Sequence, residues 1–286
     1  MIRESAGPYL KPGTLIEHRR AIERAVQTMR VYFAEELTLC DMAKAAIMSP
    51  YHFSRTFHRL TGVPPRLFLS ALRLQAAKRL LLTSRASVTD VCFEVGYSSL
   101  GTFIRRFTEI TGFSPVGIRS ASRALAIGLM RDAPSRDTDR GAVAVRGEVL
   151  VPPDFQGPVF VGAFGSCAPI TPPLAYTVVH SGGKFEVRGV PDGRYYVLAA
   201  ALQPASDPIE CLLCESALRA AGQGVSVRGG LDSGEIRLAL RAPQPLDVPM
   251  VLTLPMLMVE RSAATAGVAA APPQAVPAAA AKYAGT

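Results

Sequence analysis

Tyr51, Ser54, Arg55 and His58 stand at positions i, i+3, i+4 and i+7, with His52 and Arg59 beside them. On a helix this spacing gathers one outward stripe of hydrogen-bond donors, of a width that suits the major groove of DNA. Further along, Gly101, Ile104, Arg105 and Thr108 make a second stripe, flanked by Thr102 and Arg106. This one is poorer in donors. Ile104 offers only apolar contact, such as a thymine methyl accepts, and Gly101 lets backbone approach a phosphate. Ser49, Ser98 and Ser99 lie where the two helices begin, and helix N-termini are natural phosphate seats. The first stripe is therefore expected to carry most of the base readout. The second adds one arginine contact and positioning.

The elements that must hold these residues are written twice. Ser49, Phe53, Arg55, Phe57, Thr61, Gly62 and Pro65 recur, shifted by 50 positions, as Ser99, Phe103, Arg105, Phe107, Thr111, Gly112 and Pro115. Each serine supplies an oxygen for the orphan N–H groups of a first helical turn. The phenylalanines, four apart, turn both rings to one core face. Each glycine then ends the helix in a left-handed conformation, and the proline that follows prevents a restart. A short helical stretch precedes each copy, Leu39–Ala46 and Val88–Val95. The pattern is a doubled helix-turn-helix, its reading helices at 50–61 and 99–110. Ile22, Val26, Met29 and Phe33 mark a buried stripe on a helix over Ile16–Ala34, and Arg66–Leu82 reads as a long helix between the units. Leu67, Ala71, Leu74, Lys78 and Leu81 share one period in it, a lysine among apolar residues.

Charge points the same way. Residues 18–120 hold 15 Lys and Arg against 7 Asp and Glu, whereas residues 121–286 hold 14 of each. The net charge of +8 thus sits in one segment, which suggests a polyanionic partner for it. No apolar run long enough to span a bilayer occurs, and the first ten residues lack a secretory pattern. The five scattered cysteines suit reduced thiols, so the reading expects a cytoplasmic, nucleoid-associated protein without a membrane partner.

Taken together, residues from Ile22 to Arg119 resemble the DNA-binding domain of the AraC/XylS family. The residues that carry this most specifically are Val91-Cys-Phe-Glu-Val-Gly96-Tyr97-Ser-Ser99, Phe103, Arg106-Phe107 and Thr111-Gly112-Phe-Ser-Pro115. The resemblance implies about seven helices, with Arg66–Leu82 as a rod between two units that read successive major grooves of double-stranded DNA. It implies a transcription regulator acting at a promoter or operator, in contact with RNA polymerase. Two departures stand out. The first turn has Ile47-Met48 where the pattern favours Gly, as at Gly96, and the DNA-binding segment comes first in the chain rather than last.

The second half has another texture. The stretch 121–142 reads as a linker, and 143–260 carries about seven short strands punctuated by Gly and Pro, as in a small antiparallel β-sandwich. Residues 261–286, almost all Ala, Pro and Gly, read as a disordered tail. The fold class is thus multi-domain, a helical domain at 16–120 followed by the sandwich. Gly182 to Ala200, with its Pro191-Asp-Gly193 turn, resembles the transthyretin-like or carboxypeptidase-regulatory sandwich, a type that implies binding, self-association or spacing. A small-molecule effector is one partner such a half would take. Cys211-Leu-Leu-Cys214, with Cys167 and His180, has the residue types of a four-ligand zinc site. The leucines and the lack of a second paired spacing fit buried cysteines in a short helix better. No Walker loop, dinucleotide fingerprint or nucleophile elbow occurs, so no catalytic residue, metal or cofactor is expected. The alternative is a DNA-targeted repair, redox or metal enzyme whose chemistry lies in the second half.

Overall fold

The computed structural model describes residues 12–126, 143–202, 208–229, 231–232 and 235–253. The tail expected at 261–286 and most of the linker lie outside these residues. Seven helices come first: α1 (Pro12–Val31), α2 (Leu39–Ala46), α3 (Pro50–Thr61), α4 (Pro65–Thr83), α5 (Val88–Glu94), α6 (Leu100–Thr111) and α7 (Pro115–Ala126). Local chemistry sets most of their ends. Thr38 and Ser87 close capping boxes with Asp41 and Asp90, three residues into α2 and α5. α1 stops at Val31, short of the Ala34 expected from periodicity, and α7 occupies the first residues assigned to the linker.

The aromatic pairs do what their spacing requires. The Phe53 and Phe57 rings lie 5.4 Å apart, and Phe57 meets Phe68 of α4 edge-on at 5.4 Å. In the second unit Tyr97 and Phe103 are 5.4 Å apart, and Phe103 and Phe107 5.7 Å. All four phenylalanines of the repeat are fully buried, which hides the core face of α3 and α6 and leaves the opposite face outward.

The second half contains β1 (Val143–Leu150), β2 (Pro158–Phe164), β3 (Ala175–His180), β4 (Gly183–Arg188), β5 (Gly193–Ala201), a short α8 (Pro208–Leu213), β6 (Leu218–Arg228), β7 (Leu231–Asp232) and β8 (Ile236–Ala239). They form a three-stranded sheet in the order β4-β1-β8 and a five-stranded sheet in the order β3-β2-β5-β6-β7. Every pairing is antiparallel except β1 with β8, which is parallel. Phe185 and Val187 point inward and Lys184 and Glu186 outward, as alternation along β4 requires. Val145, Val161, Val197 and Leu238 belong to the core between the sheets.

The halves are not simply tethered. Leu246, Val248 and Val251 after β8, and Ala168 from the β2–β3 loop, belong to the same buried cluster as Ile22, Phe57 and Leu74. Lys78 of α4, fully buried, donates from Nζ to the carbonyls of Val251 at 3.1 Å, Leu252 at 3.2 Å and Met250 at 3.5 Å. Arg79 pairs with Glu215. A strap of β-half chain therefore closes the back of the helical half.

An acid-sensitive clasp holds that strap. Asp247 accepts two 2.8 Å bonds from the Arg241 guanidinium and one of 2.7 Å from the Gln244 backbone N–H. Burial pushes the Asp247 carboxyl upward, but the bonds from Arg241 and Gln244 outweigh it and hold it below its ordinary 3.8. A depressed carboxylate contributes stability that is present above the unfolded value and lost as pH falls through the folded one. Thermal melts from about pH 5 to about pH 3 should therefore fall more steeply for the parent than for Asp247→Asn. Parallel curves would show that the clasp contributes nothing to acid stability.

Candidate nucleic-acid interface

Each half of the repeat is a helix, a left-handed turn and a second, reading helix. In the second unit the turn residue is Gly96, with φ 82°. In the first it is Ile47, with φ 58° and ψ 46°, an uncommon conformation for a β-branched residue. Both turns make the same bonds. The Ile47 N–H meets the Lys44 carbonyl and the Met48 N–H that of Ala43, as Gly96 meets Phe93 and Tyr97 meets Cys92. The missing glycine thus leaves the geometry unchanged and the strain in place. Ile47 is 83% exposed, so its side chain offsets little of that cost. Ile47→Gly should raise stability by about 1 kcal/mol, read as a higher melting temperature. An unchanged or lower value would show that the isoleucine is comfortable there.

α3 begins at Ser49, whose hydroxyl accepts from the His52 N–H, and ends at Gly62 with φ 78°. Tyr51, His52, Arg55, His58 and Arg59 are all exposed, and Ser54 is half-buried. Arg55 donates to the Tyr51 hydroxyl at 3.2 Å and lies over the same ring, 5.6 Å from its centroid. The stripe forms a shallow hollow of about 290 Å³ lined by Tyr51, His52, Arg55, Thr56 and Arg59.

α6 repeats the device. Ser99 accepts from the Thr102 N–H, and Gly112 closes the helix at φ 82°. Ser98, Ser99, Gly101, Thr102, Ile104 and Arg105 are exposed. Arg105 leans 3.5 Å from Glu109, one turn on, a solvent-screened pair that a stronger anion can replace. Arg106 is half-buried and close enough to Tyr97 for its charge to be felt by the phenol.

α1 adds a residue that the sequence reading did not single out. The ring of His18 packs edge-on against His52, 5.1 Å between centroids, and its Nδ1 lies 3.2 Å from an Arg59 nitrogen. Burial first, then the charges of His52 and Arg59, hold its pKa below the ordinary 6.5, which favours the neutral ring. Thirty-four positions separate the two histidines in sequence, and no local spacing announces their meeting.

Of the zinc-type residues of the second half, the Cys211 side chain lies outside the described residues and the other three sit on separate elements. Cys167 donates its thiol to the Gly62 carbonyl, Cys214 is buried just after α8, and His180 is exposed at the end of β3. Burial pushes the Cys167 thiol pKa up, opposite to what a reactive thiolate needs. Among the described residues no three His, Cys, Asp or Glu side chains gather as metal ligands, and no helix is long and apolar enough to cross a membrane.

Residues 42–121 match the model of a helix-turn-helix domain. The chain is 33% identical over 91 residues to the bifunctional transcriptional activator/DNA repair enzyme AdaA of Bacillus subtilis, covering 32% of this chain and 43% of that protein. It is 35% identical over 88 residues to the transcriptional activator RhaS of Escherichia coli, covering 31% of this chain and 32% of that one. The chain thus spans less than half the length of these relatives. Among solved structures it is similar to the DNA-binding domain of AdpA, a global transcriptional factor in complex with a target DNA. That likeness has 31% identity and a TM-score of 0.36, over 38% of this chain and 97% of that one.

Proposed function

We propose, from the premise that residues 42–121 are a helix-turn-helix domain of the AraC/XylS type, that the chain regulates transcription by sequence-specific binding of double-stranded DNA. The observation that carries this is the outward donor stripe on α3, backed by buried Phe53 and Phe57 and repeated on α6. Core packing accounts for the rings. It does not account for Tyr51, Arg55, His58 and Arg59 standing together in solvent on a basic surface. In this reading Arg55, His58, Tyr51 and Ser54 reach base edges, with His52 and Arg59 beside them, and on α6 Ile104 lies against a thymine methyl. Arg105 adds a second-groove contact. Ser49, Ser98, Ser99, Gly101, Thr102 and Arg106 seat the backbone. RNA polymerase is the partner such binding would serve, in the cytoplasm, and the β-half tunes the binding rather than carrying out catalysis.

Selecting sites from a random DNA pool with the full chain tests this. A common sequence should emerge, and Arg55→Ala should bind it roughly tenfold to a hundredfold more weakly, with the preference relaxed at one position. Arg106→Ala should instead weaken all sequences alike and flatten the salt dependence. An Arg55→Ala protein that footprints the selected site as tightly as the parent would mean that α3 does not face the groove.

A further inference from the structure

A cleft of about 300 Å³ lies where the β-half meets the helical half. One wall is the outer face of the five-stranded sheet, with Phe164 of β2, Leu198 of β5 and Gly222 of β6; the strap residue Met250 closes one side. The other wall is Leu60, Thr61 and Gly62, the last residues of α3 and its left-handed cap. A concave, mostly apolar space between two structural units, with few polar groups, is the usual setting for a small-molecule site.

Four charged side chains border it, Arg19, Arg219, Arg241 and Asp247. Asp247 is taken at both oxygens by Arg241, and Arg19 pairs with Glu23 at 2.9 Å. Arg219 is different. Its guanidinium donates only to backbone carbonyls, of Val248 at 3.2 Å and of Ala217 and Glu215 at 3.5 Å. Among the described residues no carboxylate hydrogen-bonds it. Burial lowers its pKa and the nearby Asp247 carboxylate only partly opposes this, with Arg241 and Arg30 adding further positive charge, so a bound anion would offset part of the cost of holding these cations together.

We propose that this cleft binds a small apolar monocarboxylate, its tail against Phe164, Leu198 and Met250 and its carboxylate on Arg219. Because the same space is walled by the end of α3, occupancy shifts the register of the DNA-reading helix. Only this second clause rests on the regulator reading. The Cys167 thiol, 3.2 Å from the Gly62 carbonyl, ties the sheet side of the cleft to that helix end.

Calorimetric titration of the full chain with hexanoate and phenylacetate, each beside its uncharged amide, tests the site without DNA. Both carboxylates should bind, at least tenfold more tightly than their amides. Arg219→Gln should erase that difference. Gly222→Leu should abolish binding of all four, since a Cβ there points at Leu198, 3.3 Å from its Cγ, and a longer side chain enters the space. Melting curves identify any variant that fails to fold, and the two variants test the site independently. Equal affinity for acid and amide, full binding by folded Gly222→Leu, or no binding of either carboxylate to the parent overturns the proposal. Fluorescence anisotropy on the selected DNA then separates the two readings. A saturating carboxylate should shift the DNA dissociation constant at least threefold. Unchanged DNA affinity refutes the coupling and leaves the site; absence of DNA binding altogether refutes the regulator reading and leaves the site.

Discussion

Lys78→Ala is expected to cost about 3–5 kcal/mol and to lower the melting temperature by roughly 10 °C. The ammonium is wholly buried in α4 and meets three consecutive carbonyls of the strap, those of Met250, Val251 and Leu252. Removing it leaves those acceptors facing an apolar cavity where a four-carbon stem had been. Each unpaired carbonyl costs about 1–3 kcal/mol, and the lost stem adds a cavity term. Relief from burying a charge offsets part of this. Lys78→Met separates the contributions, because it restores the volume and leaves the carbonyls unpaired; about half of the loss should remain. The failure should also be local at first. Hydrogen exchange ought to show residues 246–253 losing protection before the phenylalanine core does. If Lys78→Ala melts with the parent, the three bonds add nothing to what the apolar contacts and the Arg79–Glu215 and Cys167–Gly62 links already hold together.

Gly96→Ala is expected to destabilise by about 2–4 kcal/mol. Two costs act together. A Cβ at φ 82° is strained, and it would sit 2.8 Å from the carbonyl carbon of Ala34, closer than non-bonded atoms approach. Backbone on both sides leaves no flexible neighbour to give way. The comparison with Ile47 is instructive, because the two residues hold the same place in the two units. Ile47 carries a side chain in the left-handed conformation and survives because that side chain meets only solvent. Denaturant unfolding of both variants checks the contrast: Gly96→Ala should shift the midpoint down and Ile47→Gly up. A neutral Gly96→Ala would mean that the Ala34 segment moves freely.

Much of the helical half was legible from local rules. The serine before α3 and α6, the glycine after each and the phenylalanine pairs four apart all act within about one turn, so spacing placed these two helices, the short helical stretches of α2 and α5 ahead of them, and the exposure of Tyr51, Arg55 and Arg105. Seven of the eight strands were equally visible, since alternation and turn residues are also local, although β6 begins at Leu218 rather than Val225 and the two-residue β7 gave no signal. Lys78 stood in an apolar period, but its burial against carbonyls more than 170 positions away is a finding of the structure.

Local residue order thus sets which segments become helix or strand and which face of each is apolar, because those depend on neighbours within a few residues. The tertiary structure alone decided which apolar faces meet. It brought His18 to His52, laid residues 246–252 across α4, joined β1 to β8 in parallel, and enclosed a cleft between the end of α3 and the sheet. Those contacts join residues from 34 to 174 positions apart in the chain. Their choice depends on shape and on pairing every buried polar group, and no periodicity in a single strand of sequence encodes either.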